Sequence, residues 1–156
     1  MKVLGFDPYV KTLPAGVERA ELNDLLRRSD VVTIHAAEAQ ETEGLLDRPR
    51  LALMKPGAYL VNTAAASIVD QEALVSMLQE GGIAGAALDI FETHPIPPNS
   101  PLLKLGNVVL TPHIGGATDG TVERQSWMIV EDIRRFLDGR RPKNLANPEV
   151  WRQRGR

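Results

Sequence analysis

Asn107-Val-Val-Leu-Thr-Pro-His113-Ile-Gly-Gly-Ala117 is the stretch that decides the fold, and Leu88-Asp89-Ile-Phe-Glu-Thr-His94-Pro95 lies just before it. Each stretch is a short apolar run that ends in a polar residue and continues into turn-forming residues. A buried parallel strand delivers a functional group at its carboxyl end in this way. In open α/β sheets, ligands bind in the crevice outside those carboxyl ends. His113 and Asp89 at two such ends therefore indicate a cofactor site.

The composition limits the classes of protein to which the chain can belong. The 156 residues are 43% hydrophobic and 24% charged, with a formal net charge of −2, which is enough for one domain with a hydrophobic core. This charge balance gives no electrostatic case for a nucleic-acid or membrane partner. No apolar run approaches the roughly 20 residues of a membrane helix, and no signal-peptide pattern begins the chain. The chain has no cysteine, so a disulfide scaffold and thiolate metal sites are excluded. We expect a cytoplasmic enzyme domain without a metal site.

Predicted strands alternate with predicted helices along the chain. Strands are expected at residues 1–7, 30–35, 58–62, 83–89 and 107–110, and helices at residues 21–29, 70–80 and 121–137, with a weaker one at 45–54. This alternation predicts the α/β class, with an open, mostly parallel Rossmann-like sheet and helices on both faces. The small residues of 83–89 are expected to pack closely against a helix. Residues 95–101 are expected to form a surface loop, and the basic residues 140–143 a solvated segment.

Asp7 ends the first predicted strand, directly before Pro8. In a dinucleotide-binding fold, the second strand ends on a carboxylate that binds the adenosine ribose hydroxyls. The alternative, which these residues alone favour, is that Asp7 opens a turn. No G-x-G-x-x-G motif precedes Asp7, and neither Gly81-Gly82 nor Gly115-Gly116 has that spacing. The first βα unit of a Rossmann fold is therefore missing, or the chain has another α/β fold that never contained the motif.

Four blocks of sequence, taken in their order and spacing, resemble the NAD-binding domain of the D-isomer-specific 2-hydroxyacid dehydrogenases. The blocks are Val3-Leu-Gly-Phe-Asp7-Pro8, Met54-Lys-Pro-Gly-Ala58 running into Val61-Asn-Thr-Ala64, Gly85-Ala-Ala-Leu-Asp89-Ile-Phe, and Leu110-Thr-Pro-His113-Ile-Gly-Gly-Ala117. The resemblance implies a partial NAD-binding domain over residues 1–150 and a basic tail at 151–156. It implies hydride transfer between NAD(H) and a small D-2-hydroxy or 2-keto acid in a homodimer. The alternative is a non-catalytic fragment or pseudo-enzyme that acts as a dimerisation or interaction module.

The same resemblance assigns roles to individual residues. His113 would be the acid/base, because an imidazole pKa near 6.5 suits proton transfer around neutral pH. Asp7 would bind the ribose hydroxyls and favour NAD over NADP, and Asp89 would bind the nicotinamide amide. The remaining cofactor contacts would come from the backbone near the nicotinamide and from two glycines that allow close approach: Thr63, Ala64, Ala65, Gly115 and Gly116. Taken without the resemblance, His113 after Thr-Pro could be a capping or core histidine.

Two positions depart from the family pattern. Ala65 stands where the family has an Arg that binds the substrate carboxylate, and His94, before Pro95, stands where it has a Glu paired with the catalytic His. His94 could relay a proton to His113, or it could be a loop residue tolerated after catalysis was lost. The family's substrate domain is not recognisable in these residues. The apolar side of the predicted helix at 121–137 would then be exposed and could support self-association.

Overall fold

The computed structural model describes residues 1–153, which fall into two compact units that divide after His113. The strands are β1 (Val3–Gly5), β2 (Val17–Arg19), β3 (Val31–Ile34), β4 (Tyr59–Asn62), β5 (Gly85–Leu88) and β6 (Val108–Leu110). The helices are α1 (Leu22–Arg28), α2 (Arg48–Leu51), α3 (Gln71–Glu80), α4 (Asp119–Leu137) and α5 (Pro148–Gln153), with short 3₁₀ turns at Ala66–Ile68 and Pro101–Lys104. The first unit thus contains the strands, and the second contains α4 and α5.

Every strand pair is parallel. β1 pairs with β2, and a four-stranded sheet has the order β3-β4-β5-β6. The four strands of the larger sheet end level with one another, because Ile34, Asn62, Leu88 and Leu110 are register partners. The predicted α/β class with a parallel, Rossmann-like sheet is confirmed. β2 was not predicted, since Val17-Glu-Arg19 offers a single apolar residue as a signal.

The two sheets share no hydrogen-bonded strand pair among the residues described. In the Rossmann strand order 3-2-1-4-5-6, β2, β1 and β3 correspond to the third, second and fourth strands. No strand among residues 1–153 fills the position of the first one, which is the unit whose Gly-rich motif the sequence does not show. The N–H of Tyr59 donates to the carbonyl of Asp30, so the alternate residues Val31 and Thr33 direct their backbone groups to the opposite, unpaired edge of β3.

The hydrophobic core lies on one face of the four-stranded sheet. Leu60 of β4 has no exposed surface, and it packs in one cluster with equally buried side chains from the helices and turns: Leu26, Leu51 and Ile68. On the opposite face, Val31, Tyr59 and Val109 are 56%, 53% and 64% exposed. Helices were expected on both faces, but the three helices of the first unit, α1, α2 and α3, all contribute side chains to this one cluster.

α3 shows how local sequence sets the bounds of a helix. The Asp70 side chain caps its first turn by accepting from the N–H of Ala73 at 2.9 Å, as acidic N-cap residues do. Gly81 ends the helix with a left-handed φ of 72°, which glycine adopts without steric cost. The helix predicted at residues 70–80 therefore agrees with α3 to within one residue.

The helix predicted at residues 45–54 is wrong in its extent. α2 covers four residues and begins only after Asp47, whose side chain accepts from the N–H of Arg50. Leu46 lies before this cap and forms a parallel bridge with Val69 instead. The spacing of the leucines indicated burial correctly. The helix is shorter than predicted because it begins only after the cap at Asp47.

The second unit is built on α4, which begins at Asp119, two residues before the predicted start. None of the described α4 side chains is buried, and the apolar ones expected to be exposed are so: Val122, Trp127, Ile129, Val130, Ile133, Phe136 and Leu137. The basic residues of the segment at 140–143 are exposed, as expected, but Pro142 is buried and Asp132 accepts from the N–H groups of Lys143 and Asn144.

α5 runs across the domain boundary expected at residue 150, and residues 154–156 of the expected tail lie outside the described residues. Within residues 1–153, no helix combines the length and the apolar character needed to cross a membrane.

Candidate functional site

The level strand ends bring polar side chains to one edge of the four-stranded sheet. Thr63, Asp89 and Thr111 each follow directly after one of the register partners that end β4, β5 and β6. The N–H of Asp89 donates to the carbonyl of Asn62 at 3.0 Å, and the N–H of Thr111 donates to the carbonyl of Leu88 at 3.0 Å. The ladder therefore continues one residue beyond the strands and holds these three positions side by side at the carboxyl edge, where ligands bind in such sheets.

Asn62 shapes the loop that follows β4. Its side chain is 2% exposed, its Oδ1 accepts from the N–H of Ala64 at 3.0 Å, and its Nδ2 donates to the carbonyl of Ala65 at 2.8 Å. Thr63 is left exposed at the edge, while Ala65 is 4% exposed. No motif marked Asn62 as a site residue, yet its side chain fixes the loop predicted to pass under the nicotinamide.

Asp89 is 5% exposed and is held by Thr111, whose hydroxyl donates to its Oδ1. A buried carboxylate needs hydrogen-bond donors to remain favourable in its charged form. Thr111 was also not selected from the sequence. The signal that could have found it is positional, because Asp89 and Thr111 each come one residue after the end of adjacent strands.

His113 has a left-handed backbone with a φ of 57°. Non-glycine residues occupy this region infrequently, at a cost of about 1–2 kcal/mol. Its N–H donates to the carbonyl of Thr111 at 3.0 Å, and its side chain is exposed. His113 is thus not a core histidine, and the turn aims a polar ring outward from the carboxyl edge of β6.

His94 lies against His113, with ring centroids 5.0 Å apart and an interplanar angle of 38°. Nε2 of His94 accepts from the N–H of Phe91 at 3.2 Å, so a neutral His94 carries its proton on Nδ1. Within residues 1–153, the two rings contact each other without a hydrogen bond between them. The sequence-predicted catalytic pair is therefore brought together, as a ring contact.

A cavity of about 830 Å³ opens beside the two histidines. Ala65, Phe91, His94 and His113 line one part of it, and no Lys or Arg is among the lining residues. Five acidic residues also line it: Glu38, Glu43, Asp70, Glu72 and Glu92.

Asp7 follows β1, in the smaller sheet, and its Oδ1 accepts from the N–H groups of Tyr9 and Val10 at 2.8 and 3.1 Å. The Arg19 guanidinium donates to the carbonyls of Asp7 and Val10 and so braces the same turn. This geometry agrees with the interpretation of Asp7 as a turn-forming residue. Its role toward a ribose stays a prediction.

The turn after β1 is also linked to the segment after β3. The Tyr9 hydroxyl donates to Oε1 of Glu41 at 3.0 Å. This hydrogen bond is the main reason that the pKa of the Tyr9 hydroxyl is raised. The pKa of Glu41 is lowered, first by its own backbone N–H and then by Tyr9.

Gly115 and Gly116 belong to the second unit and are exposed. A Cβ added to Gly116 would meet no atom within 4 Å, so the fold itself does not require a glycine there. Close approach to a cofactor at these residues stays a prediction. The described residues contain no group of three or more His, Asp or Glu side chains arranged to hold a metal ion.

Comparison with known proteins adds to this geometry. Residues 1–115 match the sequence model of "D-isomer specific 2-hydroxyacid dehydrogenase, NAD binding domain". The chain is 46% identical to a glyoxylate reductase of Thermofilum pendens over 145 residues, which are 93% of this chain and 43% of that enzyme. It thus spans less than half the length of that relative.

Solved structures show the same likeness. The TT0316 protein of Thermus thermophilus superposes with a TM-score of 0.80 at 44% identity, over 86% of this chain and 43% of its own. A D-isomer specific 2-hydroxyacid dehydrogenase of Xanthobacter autotrophicus Py2, in complex with NADPH and MES, superposes with a TM-score of 0.81 at 35% identity, over 96% of this chain and 62% of its own. This chain therefore belongs to the D-isomer-specific 2-hydroxyacid dehydrogenase family and carries residues of its NAD-binding domain.

Proposed function

We propose that this chain provides the adenosine-ribose and nicotinamide contacts of an NAD(H) site in an oxidoreductase, with His113 as the acid/base. The observation that carries the proposal is the conformation of His113. A φ of 57° holds its exposed ring at the carboxyl edge of the sheet, against His94 and beside the cavity. Backbone strain of this kind clusters at functional sites.

The residues present fit the two ends of NAD. Asp89 is a buried carboxylate whose acceptor chemistry suits the amide N–H groups of the nicotinamide, and Thr111 orients it. Asp7 is half-buried at the end of β1, and its carboxylate can accept from the two ribose hydroxyls. A carboxylate there repels a 2′-phosphate, so we expect NADH to be preferred over NADPH.

NAD(H), when bound, supplies or accepts the hydride. His113 would donate a proton to the carbonyl oxygen of a 2-keto acid as the hydride arrives, and it would take that proton back in oxidation. His94 is neutral with its proton on Nδ1 when Nε2 accepts from Phe91, so we assign it as a candidate proton relay. It supplies no negative charge to an imidazolium at His113.

The substrate class follows the relatives: a small 2-keto or D-2-hydroxy acid, such as the glyoxylate named for the Thermofilum pendens enzyme. Ala65 is buried beside the cavity and offers a methyl group but no cation. Among the residues that line the cavity, no Lys or Arg is therefore placed to pair with a carboxylate on the substrate.

The second candidate is a non-catalytic dimerisation module. The exposed apolar side of α4 favours it, because surfaces of this kind mark interaction sites; Trp127 is 67% and Ile133 54% exposed. We expect a homodimer in sedimentation analysis, a result that is compatible with both functions.

Catalysis separates the two candidates, and His113→Asn is the variant to use. Asn tolerates the left-handed conformation but does not act as an acid near neutral pH. We expect kcat for NADH-dependent reduction of glyoxylate to fall by about 10²- to 10⁴-fold, with an unchanged circular dichroism spectrum. A folded His113→Asn variant with wild-type kcat would contradict the assignment of His113.

A further inference from the structure

An exposed aromatic side chain lies two residues after Asp7. Tyr9 is 75% exposed, although the ring of a tyrosine has a large apolar surface whose burial is favourable. Its position is nevertheless fixed twice, because its N–H donates to Oδ1 of Asp7 at 2.8 Å and its hydroxyl donates to Oε1 of Glu41 at 3.0 Å. The ring is therefore held in place while most of its surface stays accessible to a ligand.

The turn that carries Tyr9 also orients the carboxylate of Asp7. Oδ1 of Asp7 accepts from the N–H groups of Tyr9 and Val10, whereas Oδ2 has no hydrogen-bond partner among residues 1–153. Two residues of extended chain span at most about 7 Å. If the hydroxyls of an adenosine ribose bind Asp7, the base of that adenosine therefore falls within reach of the Tyr9 ring.

Glu41 brings a carboxylate to the edge of the same ring. It belongs to the segment after β3, 32 residues further along the chain than Tyr9. Its own backbone N–H and then the Tyr9 hydroxyl lower the pKa of the Glu41 carboxyl, so the group is ionised near neutral pH. An ionised carboxylate has about four acceptor sites and no donor. Glu41 can therefore accept a further hydrogen bond while it keeps the one from Tyr9.

We propose that Tyr9 and Glu41 recognise the adenine of NAD(H): the base stacks on the Tyr9 ring, and its amino group donates to the Glu41 carboxylate. The inference rests on the proposed function, because the ribose contact at Asp7 is what brings a base to Tyr9. Stacking on an aromatic ring tolerates every base. The specificity comes from Glu41, since a carboxylate only accepts hydrogen bonds and the amino group of adenine donates them.

Calorimetric titration of the purified protein with two dinucleotides tests this recognition. The probes are NAD⁺ and nicotinamide 1,N6-ethenoadenine dinucleotide, whose etheno bridge removes both amino hydrogens but leaves a flat base that can stack. We expect NAD⁺ to bind at least about fivefold more tightly, because the modified base has no donor for Glu41.

Glu41→Gln tests the carboxylate. The neutral amide can still accept from the Tyr9 hydroxyl, but it can also donate to a ring nitrogen of the modified base, so the ratio of the two affinities should fall toward one. Loss of a negative charge can raise the affinity for both anionic dinucleotides alike, which makes the ratio the quantity to compare. Glu21→Gln is the matched control, because Glu21 is an exposed acid without a side-chain cap bond, and it should keep the wild-type ratio.

Tyr9→Ala and Tyr9→Phe separate stacking from the link between the two segments. Both remove the hydrogen bond to Glu41, but only Tyr9→Ala removes the ring. We expect Tyr9→Ala to weaken the binding of both dinucleotides about fivefold or more and Tyr9→Phe to keep most of the affinity for NAD⁺. If Tyr9 served only to join the segments, the two variants would be equally impaired.

Equal affinity of the wild type for the two dinucleotides would overturn the inference, and so would a wild-type ratio in Glu41→Gln. A Tyr9→Phe variant as weak as Tyr9→Ala would overturn the stacking. In each of these cases, saturable binding of NAD⁺ to the wild type would leave the proposed function standing. If neither dinucleotide binds to protein that is folded by circular dichroism, the proposed function falls and the inference falls with it.

Discussion

The strongest functional signal at the scale of the residue is the unfavourable backbone of His113. A φ of 57° costs about 1–2 kcal/mol for a residue with a Cβ, and the exposed ring recovers little of that through burial. The conformation that places the imidazole at the carboxyl edge of the sheet therefore lowers the stability of the fold. Thr111 contributes twice, since its carbonyl accepts from the N–H of His113 and its hydroxyl holds Asp89.

Replacing Thr111 by Val tests the role of the hydroxyl. Val has the shape of Thr but no hydroxyl, so the buried carboxylate of Asp89 loses one donor. We expect the free energy of unfolding to fall by roughly 1.5–3 kcal/mol, the range for hydrogen bonds to charged groups, and NADH binding to weaken. Urea denaturation and calorimetry measure the two effects. Thr111→Ser keeps the hydroxyl and should restore both; a Ser variant as impaired as Val would contradict the role of the hydroxyl.

The sequence predicted His113, His94 and Asp89 as site residues because each stands out by its chemistry. It did not predict Asn62 or Thr111, whose value lies in the partners they reach. Asn62 bonds the loop two and three residues ahead, and Thr111 bonds a carboxylate 22 residues away in sequence. The first partner depends on a loop conformation and the second on strand register, and neither is visible as a motif.

At the scale of the element, the site depends on strands that end level, and Gly85 shows how tightly two of them approach. A Cβ on Gly85 would lie 2.6 Å from the carbonyl oxygen of Asn107, just before β6. The small residues of β5 were expected to allow a helix to pack closely. For Gly85, the nearest group is instead the backbone next to the neighbouring strand.

Gly85→Ala should therefore separate β5 from the start of β6. Because the obstructing atom belongs to the backbone, we expect a loss of about 1–3 kcal/mol in the free energy of unfolding, as for overpacked cores. Chemical denaturation gives the value. Gly106→Ala is the matched control, since a Cβ there meets no atom within 4 Å. Equal stability of the two variants would show that β5 and β6 can adjust freely.

Elements with strong local signals were predicted well, and those set by tertiary contacts were not. α3 has an acidic N-cap and a C-terminal glycine, and both its ends were predicted. β2 is three residues long, with a pairing partner, β1, that no local pattern reveals. The helix expected at 45–54 shrank to α2 because Leu46 joins Val69 in a bridge, a contact between segments far apart in sequence.

At the scale of the whole molecule, exposed charges link separate elements. Glu18 of β2 pairs with Lys2 at 2.7 Å and with Arg28 of α1 at 2.5 Å. These two cations, Lys2 first, lower the pKa of Glu18 below its ordinary value of 4.5. A carboxylate whose pKa is lowered in the folded state stabilises the fold above its unfolded pKa, and this contribution is lost as the pH falls through the folded pKa.

Glu18→Gln should remove this pH dependence. We expect the wild type to have the higher melting temperature at pH 7 and the difference to shrink as the pH falls below about 4.5. Thermal unfolding at a series of pH values measures it. Glu21→Gln, at an exposed acid without a side-chain cap bond, should follow the wild type throughout. A difference between the wild type and Glu18→Gln that grows toward acid pH would contradict the assigned sign.

The central claim is that Asp7, the loop after β4 and Asp89 contribute to one NAD(H) site, and calorimetric titration of the purified protein with NADH tests it most directly. We expect saturable binding that is tighter for NADH than for NADPH. Asp7→Asn keeps an oxygen that can accept from the N–H groups of Tyr9 and Val10 but removes the negative charge. It should therefore reduce the preference for NADH over NADPH. Absence of binding at millimolar NADH, from protein that is folded by circular dichroism, would contradict the claim.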